Sequence, residues 1–240
     1  MSDITINMRH EDKFICSEKQ LFLLENRIRC FLPPDINQTD DFYNIRSLYF
    51  DTSTDRLLQE SLHGIERRNK YRIRIYNHSD NFARFEKKTS IKNLKSKSSI
   101  VLNCSEVEKI ISCGEPDFSF NNDLTDEICC LYHNEGLSPK VIVEYDRSAY
   151  VSDFGNVRIT FDRNIRASAE ISNFFSPHLL GINVQSYGKG ILEVKYDGVL
   201  PKYISDLLST GALQKVSFSK YGLCRNIIEN NGRLCEYYEL

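Results

Sequence analysis

Several stretches of this 240-residue chain place a cation two positions from a second ionic or hydrogen-bonding group. Arg72 and Arg74, Glu86 and Lys88, Tyr145 and Arg147, Glu193 and Lys195, and Glu11 and Lys13 all keep that spacing. Arg158 stands in the same phase as Thr160 and Asp162. A spacing of two puts each set on one face of a β-strand, because successive side chains of a strand point to opposite sides. Guanidinium forks and ammonium groups on one face are suited to phosphate oxygens, arginine as a two-pronged donor and lysine as a point charge.

Two arrangements follow. A single strand of this kind is ordinarily a solvated sheet face with cross-strand ion pairs, each worth little. Repeated over five or six strands, the pattern fits a concave interior instead. Cations enclosed without partners would cost several kcal/mol each, so such an interior must be wide, hydrated and filled by an anion. A ring of that type implies a polyanionic ligand.

The elements that carry these residues are legible from periodicity. Tyr71, Ile73 and Ile75 alternate with Arg72, Arg74 and Tyr76, and Val157, Ile159 and Phe161 alternate with Arg158, Thr160 and Asp162. Leu192, Val194 and Tyr196 alternate with Glu193 and Lys195. These are strands with one apolar and one charged face. Between them, Ser17 with Gln20 predicts a capping box opening a helix over Glu18 to Cys30, and Ser105 with Glu108 predicts a second over Glu106 to Ser112. Leu124 to Tyr132, Pro201 to Leu208 and Lys220 to Glu229 predict further helices. The Lys/Ser-rich stretch Lys92 to Ser99 reads as a hairpin tip, and Tyr187 to Gly190 as a turn into the strand at Ile191. With no repeat and no long linker, residues 1–240 form one α+β domain of mainly antiparallel strands.

Composition removes other classes. Thirty-one Lys and Arg against 33 Asp and Glu give a net charge of −2, which argues against a nucleic-acid partner while leaving room for a local basic site. No signal-peptide pattern opens the chain, and no apolar run approaches the roughly 18 residues of a membrane span. Eight scattered cysteines without a C-x-x-C pair indicate free thiols in a reducing, cytoplasmic setting and no zinc site. There is no G-x-x-x-x-G-K-[ST] loop, dinucleotide fingerprint, H-E-x-x-H or nucleophile elbow.

Eight segments in order resemble one family. They are Arg9 to Phe14, Ser47 to Asp51, Lys70 to Tyr76, Glu86 to Lys88, Val143 to Arg147, Val157 to Asp162, Leu192 to Lys195 and Phe218 to Tyr221. Together they resemble the polyphosphate polymerase (VTC-type) domain of the triphosphate tunnel metalloenzyme, CYTH-like, superfamily. The resemblance implies an eight-stranded antiparallel β-barrel forming a tunnel, with helices packed outside. It also implies transfer of the terminal phosphate of ATP to a growing polyphosphate chain with Mn2+ or Mg2+. Relatives in the wider superfamily hydrolyse triphosphates or cyclise ATP, and a noncatalytic polyphosphate or inositol-phosphate sensor on the same fold is a third alternative.

By that resemblance Arg72, Arg74, Lys88, Lys13, Tyr145, Arg147, Arg158 and Lys195 face phosphate, and Ser219 and Lys220 start a C-terminal helix that caps the tunnel. Glu193 is the implied metal ligand, with Glu11 and Glu86 as accessory carboxylates, and Lys195 neutralises Glu193 when metal is absent. Asp162 is expected as a salt-bridge partner, Lys87 outside the barrel, and Glu144 and Asp146 facing away into solvent. Some members carry a lysine where this chain has Ser217, and Lys215 is the nearest substitute. Members also work beside a membrane-protein partner, which would place this chain peripherally at a membrane. Oligomeric state is not legible, and neither is the choice among transferase, hydrolase and sensor.

Overall fold

The computed structural model describes residues 9–92, 94–114, 116–184, 189–209 and 213–230. Among these residues nine strands form a single antiparallel sheet: β1 (Arg9–Ser17), β2 (Tyr43–Asp51), β3 (Arg67–Tyr76), β4 (Ala83–Ile91), β5 (Leu94–Leu102), β6 (Ser138–Ser152), β7 (Val157–Ser168), β8 (Ile182–Asn183) and β9 (Lys189–Tyr196). Their order is β6-β2-β3-β4-β5-β1-β9-β7-β8, and β7 also pairs with β6. That last pairing closes eight strands into a ring and leaves the two-residue β8 as an appendage on β7. The expected eight-stranded barrel is therefore present, and closure removes the exposed edges an open sheet would carry.

The ring is not equally tight all round. β1 meets β5 over only two residue pairs, Arg9 opposite Lys95 and His10 opposite Leu94. Beyond them the segment at 215–216 lies along β1: Val216 N–H donates to Lys13 O at 2.9 Å, and Lys215 bridges Phe14.

Helices α1 (Glu18–Arg29), α2 (Arg56–Leu62), α3 (Cys104–Cys113), α4 (Asp123–Glu135), α5 (Lys202–Leu208) and α6 (Lys220–Glu229) complete the fold. The outward faces of β2 to β5, with Leu48, Phe50, Tyr71, Ile73, Ile75 and Phe85, pack against Val107 and Ile110 of α3 and Leu124 and Ile128 of α4. On the other side Ile159, Phe161, Leu192 and Val194 pack against Leu21, Leu24 and Ile28 of α1 and Ile204 of α5. The period-two apolar residues are thus the barrel's outer surface, covered by amphipathic helices. α6 differs: Tyr221, Leu223, Cys224 and Ile227 pack with Tyr49, Val143 and Tyr145, which lie on the inward phase, and with Ile165 and Ala167, which a β-bulge in β7 brings round to the same inward face. This helix fills part of the interior.

Helix ends follow side-chain caps. Ser17 and Gln20 make the predicted capping box of α1. α3 starts earlier than predicted, with Asn103 as its cap and Glu106 completing the box, because asparagine offers the carbonyl oxygen where the chain turns. The stretch Lys92 to Ser99 is not a hairpin tip. Lys92 lies in a turn after β4, and β5 begins at Leu94, each of its residues from there to Leu102 matched to one on β4. Of the expected turn at Tyr187 to Gly190, Tyr187 and Gly188 lie outside the described residues, while Lys189 and Gly190 already belong to β9. No helix among the described residues is long and apolar enough to cross a membrane.

Candidate functional site

The inward faces converge on one cavity of about 80 Å³ lined by Lys13, Lys70, Arg72, Arg74, Lys88, Arg147, Lys195 and Lys220, with Glu193, Ser219 and the rings of Tyr49, Tyr145 and Tyr221. Eight cations and one carboxylate therefore share a wall built from β1, β2, β3, β4, β6, β9 and the start of α6. Three more acids sit just behind that surface. Glu11 takes Lys88 at 2.7 Å and Lys13 at 3.2 Å. Glu86 takes Arg72 at 2.7 Å, Arg74 at 3.8 Å and Lys97 at 2.9 Å. Asp162 receives both prongs of Arg147, at 2.6 and 2.7 Å, and Lys220 at 2.6 Å. Glu193 itself holds Lys195 at 2.6 Å.

Tyrosines fix the arginine forks. Arg72 donates to Tyr49 Oη at 2.9 Å, and Arg74 donates to Ser47 Oγ at 3.1 Å and Tyr145 Oη at 3.3 Å. Lys220 stands 4.9 Å from the centre of the Tyr145 ring, a cation–π distance. At the N-terminus of α6, Ser219 Oγ accepts from Gly222 N–H at 3.1 Å and from Lys70 Nζ at 2.7 Å, so the serine joins the helix cap to the cationic wall.

The electrostatics follow from burial and crowding. Burial by itself would raise the carboxyls of Glu11 and Glu193, but the surrounding lysines outweigh it and hold both below the ordinary range. Asp162 is likewise held at about 2 by Arg147 and Lys220 against its burial. Burial presses Lys88 down to about 8 despite Glu11 beside it. Lys70 is driven well below the usual lysine range by burial and then by Lys13, Lys88 and Arg68. The eight lining basic residues outnumber the four carboxylates, and among the described residues no further acid pairs with the excess.

The arrangement matches the sequence-based placement at most positions. Lys13, Arg72, Arg74, Lys88, Tyr145, Arg147, Lys195, Glu193, Ser219 and Lys220 all line the cavity. Arg158 does not line it: it pairs with Asp35 at 3.0 Å and donates to Tyr43 Oη at 2.9 Å, although β7 sets it opposite Lys195. Asp162 is a salt-bridge partner and Lys87 lies outside, bound to Glu127 of α4 at 2.5 Å. Glu144 is not solvated. It is 3% exposed and ion-paired with Arg46 and Arg166 beneath the segment at 174–176, whose Phe174 and Ser176 carbonyls accept from Arg46 at 2.8 and 2.6 Å. Asp146 is half-buried and accepts from Asn44 and Asn164. Lys215 does not reach the cavity, being paired with Asp12 on the outward side of β1 at 2.5 Å. Lys70, Tyr49 and Tyr221 join the cavity without having been singled out, although Lys70 shares the phase of Arg72 and Arg74.

Among the described residues no group of three or more His, Cys, Asp or Glu side chains converges as a metal cage. Glu11 and Glu193 are the carboxylate pair available, on neighbouring strands and both within 4 Å of Lys13 and Lys195. Such a pair fits a divalent cation that keeps water and substrate phosphates as its other ligands, as magnesium commonly does. Glu86, like Glu11, lies behind the cavity surface among three cations, but two of its three are the arginines Arg72 and Arg74.

The sequence matches the VTC domain over residues 8–228. No curated protein matches the chain. Among solved structures, a candidate adenylate cyclase from Bacillus halodurans shares 16% identity, with 87% of this chain and 92% of that one covered and a TM-score of 0.54. The mimivirus capping enzyme triphosphatase shares 12% identity over 84% of this chain and 87% of that one, with a TM-score of 0.43.

Proposed function

Because the chain belongs to the VTC domain family, we propose that it is a metal-dependent polyphosphate polymerase, moving the terminal phosphate of ATP to a polyphosphate chain held in the barrel. The observation that carries this reading is the surplus of cations around one enclosed cavity, which a string of phosphates would neutralise. Phosphoryl transfer asks a protein chiefly for positioning and for stabilisation of spread negative charge. Arg72 and Arg74, oriented by Glu86 and the tyrosines, would hold equatorial phosphate oxygens. Lys13, Lys88 and Lys195 would be drawn from Glu11 and Glu193 toward the incoming phosphates, freeing those carboxylates to hold Mn2+ or Mg2+. The metal, when bound, would neutralise charge between the transferred and leaving phosphates.

In the transfer step a terminal oxygen of the polyphosphate attacks the γ-phosphorus of ATP, one P–O bond forms, the bond to the β-phosphate oxygen breaks, and ADP leaves. That nucleophile is already an anion, so no general base is required. This favours transfer over hydrolysis, since attack by water calls for a base, and the two interior carboxylates left outside the metal pair, Glu86 and Asp162, are held below their ordinary range by arginines and lysines and are weak ones. Incubation of the purified protein with ATP and Mn2+, with products resolved on a gel, tests the reading. Phosphate chains lengthening with time are expected; free phosphate alone would make the protein a hydrolase, and no turnover with retained polyphosphate binding would make it a sensor.

A further inference from the structure

The carboxylates of the interior answer all but one of the cavity's cations, and the exception, Lys70, leads to a second group. The register across β3, β4 and β5 sets Lys70 opposite Lys88 and Lys88 opposite Lys97; one step further, Arg68 lies opposite Ser90 and Ser90 opposite Lys95. All six share the inward phase of Arg72 and Glu86. Consecutive inward positions on a strand are about 7 Å apart, so the Arg68–Ser90–Lys95 rung lies next to the one that lines the cavity.

This outer rung has no acid of its own. Among the described residues neither Arg68, Lys70 nor Lys95 has a carboxylate within 4 Å; Arg68 donates to Ile65 O at 2.7 Å and Lys70 to Ser219 Oγ. Glu11, whose field reaches Lys95, is already held by Lys88 and Lys13. Arg9, opposite Lys95 on β1, is engaged by Asp197 at 3.0 Å. The crowding registers on Lys95, which burial, then Lys88, Arg68 and Lys13 push down to about 8 against the pull of Glu11. Like charges gathered without counter-ions repel one another and weaken the fold that holds them, unless a polyanion joins them.

We propose that Arg68, Ser90 and Lys95 form a second phosphate subsite that grips a linear polyphosphate beyond the units held in the cavity. The proposal rests on the polyphosphate reading above and deepens it: the ligand is an inorganic phosphate chain longer than triphosphate. A chain that passes Lys70 and Lys88 meets this rung next, and the arginine fork and lysine ammonium supply the charge-assisted bonds that phosphate oxygens take. Ser90, between them, has a hydroxyl able to donate to the same phosphate.

The test compares two probes by titration calorimetry in metal-free buffer, tripolyphosphate and long-chain polyphosphate. The wild-type protein is set beside the double variant Arg68→Gln, Lys95→Gln, the single variant Lys95→Arg and the cavity variant Arg72→Ala. Loss of two charge-assisted contacts should weaken long-chain binding by about tenfold or more in the double variant. Its tripolyphosphate affinity should be unchanged, Lys95→Arg should keep both affinities, and Arg72→Ala should lose both. Thermal melts of the ligand-free double variant should be no lower than wild type, since repulsion has been removed and not support. Equal losses for both probes, or no loss for either in a protein that binds both, would overturn the subsite and leave the polyphosphate reading standing. If the wild type binds neither probe, the polyphosphate reading itself falls and the subsite with it.

Discussion

Asp162 shows how a buried acid can hold two phosphate-facing cations in place. It is fully enclosed and grips Arg147 and Lys220 together, and those partners keep its pKa near 2 against an ordinary value of 3.8. A lowered folded-state pKa contributes stability that is present above the unfolded value and is lost as pH falls through the folded one. The window here is from about pH 4 down to about pH 2, and the contribution is about 2 kcal/mol. Asp162→Asn should therefore cost about 3 kcal/mol near neutrality, by leaving two buried cations short of charge, and should flatten the acid limb of the stability profile. Urea unfolding at several pH values checks this; wild-type and variant curves running parallel below pH 4 would contradict it. Asp162 was legible because it shares a phase with Arg158 and Thr160 on a strand of strict alternation. Glu144 was not. Phase correctly turned it outward, but outward means solvent only where nothing lies on top, and the segment at 174–176 that covers Arg46 and Glu144 has no periodic pattern to announce it. Lys70 shows the opposite limit, since phase placed it but only three dimensions show that no acid answers it.

At the scale of elements, period-two alternation identified most of the strands, because a closed sheet with helices outside and ions inside needs alternation in each of them. It failed on β5, where Lys95, Lys97 and Ser99 face inward and Ser96 and Ser98 outward, so polar residues occupy both phases and the stretch imitates a loop. Strand β9 illustrates a requirement that sequence states only through one residue. Gly190 lies opposite Cys16 on β1 and beneath α1, and a Cβ there would overlap Leu21 Cδ1 and come within 2.9 Å of the backbone oxygen of Asp162. Gly190→Ala should force α1 away from the barrel or bend β9, at a cost of about 2 kcal/mol. For a chain of this length that corresponds to a fall of roughly 5 °C in Tm. A melt unchanged within error would mean that α1 yields freely, contrary to its packing through Leu21, Leu24 and Ile28.

For the whole molecule, net charge is a poor guide to ligand: the chain is slightly acidic overall, yet its enclosed space is strongly cationic. That concentration of like charge predicts a protein stiffened by its ligand. Tripolyphosphate at about a hundred times its Kd should stabilise the fold by about 2.7 kcal/mol, and hence raise Tm by roughly 5 to 10 °C. Added sodium chloride at the same ionic strength should not reproduce the shift, and a melt indifferent to tripolyphosphate would argue against the cavity as a phosphate site. One further property follows from the narrow junction of β1 and β5. With only two rungs there, the ring is completed by residues near Lys215 lying along β1, by Lys13 reaching Phe218 at 3.0 Å, and by Tyr221 reaching Asp51 at 2.6 Å. A nascent polypeptide emerging from the ribosome must hold that margin of β1 unpaired until the segment at 215–218 has been made, and contacts so remote in order form slowly. Closure of the ring at β1 therefore waits until α6 and the segment leading into it have been made.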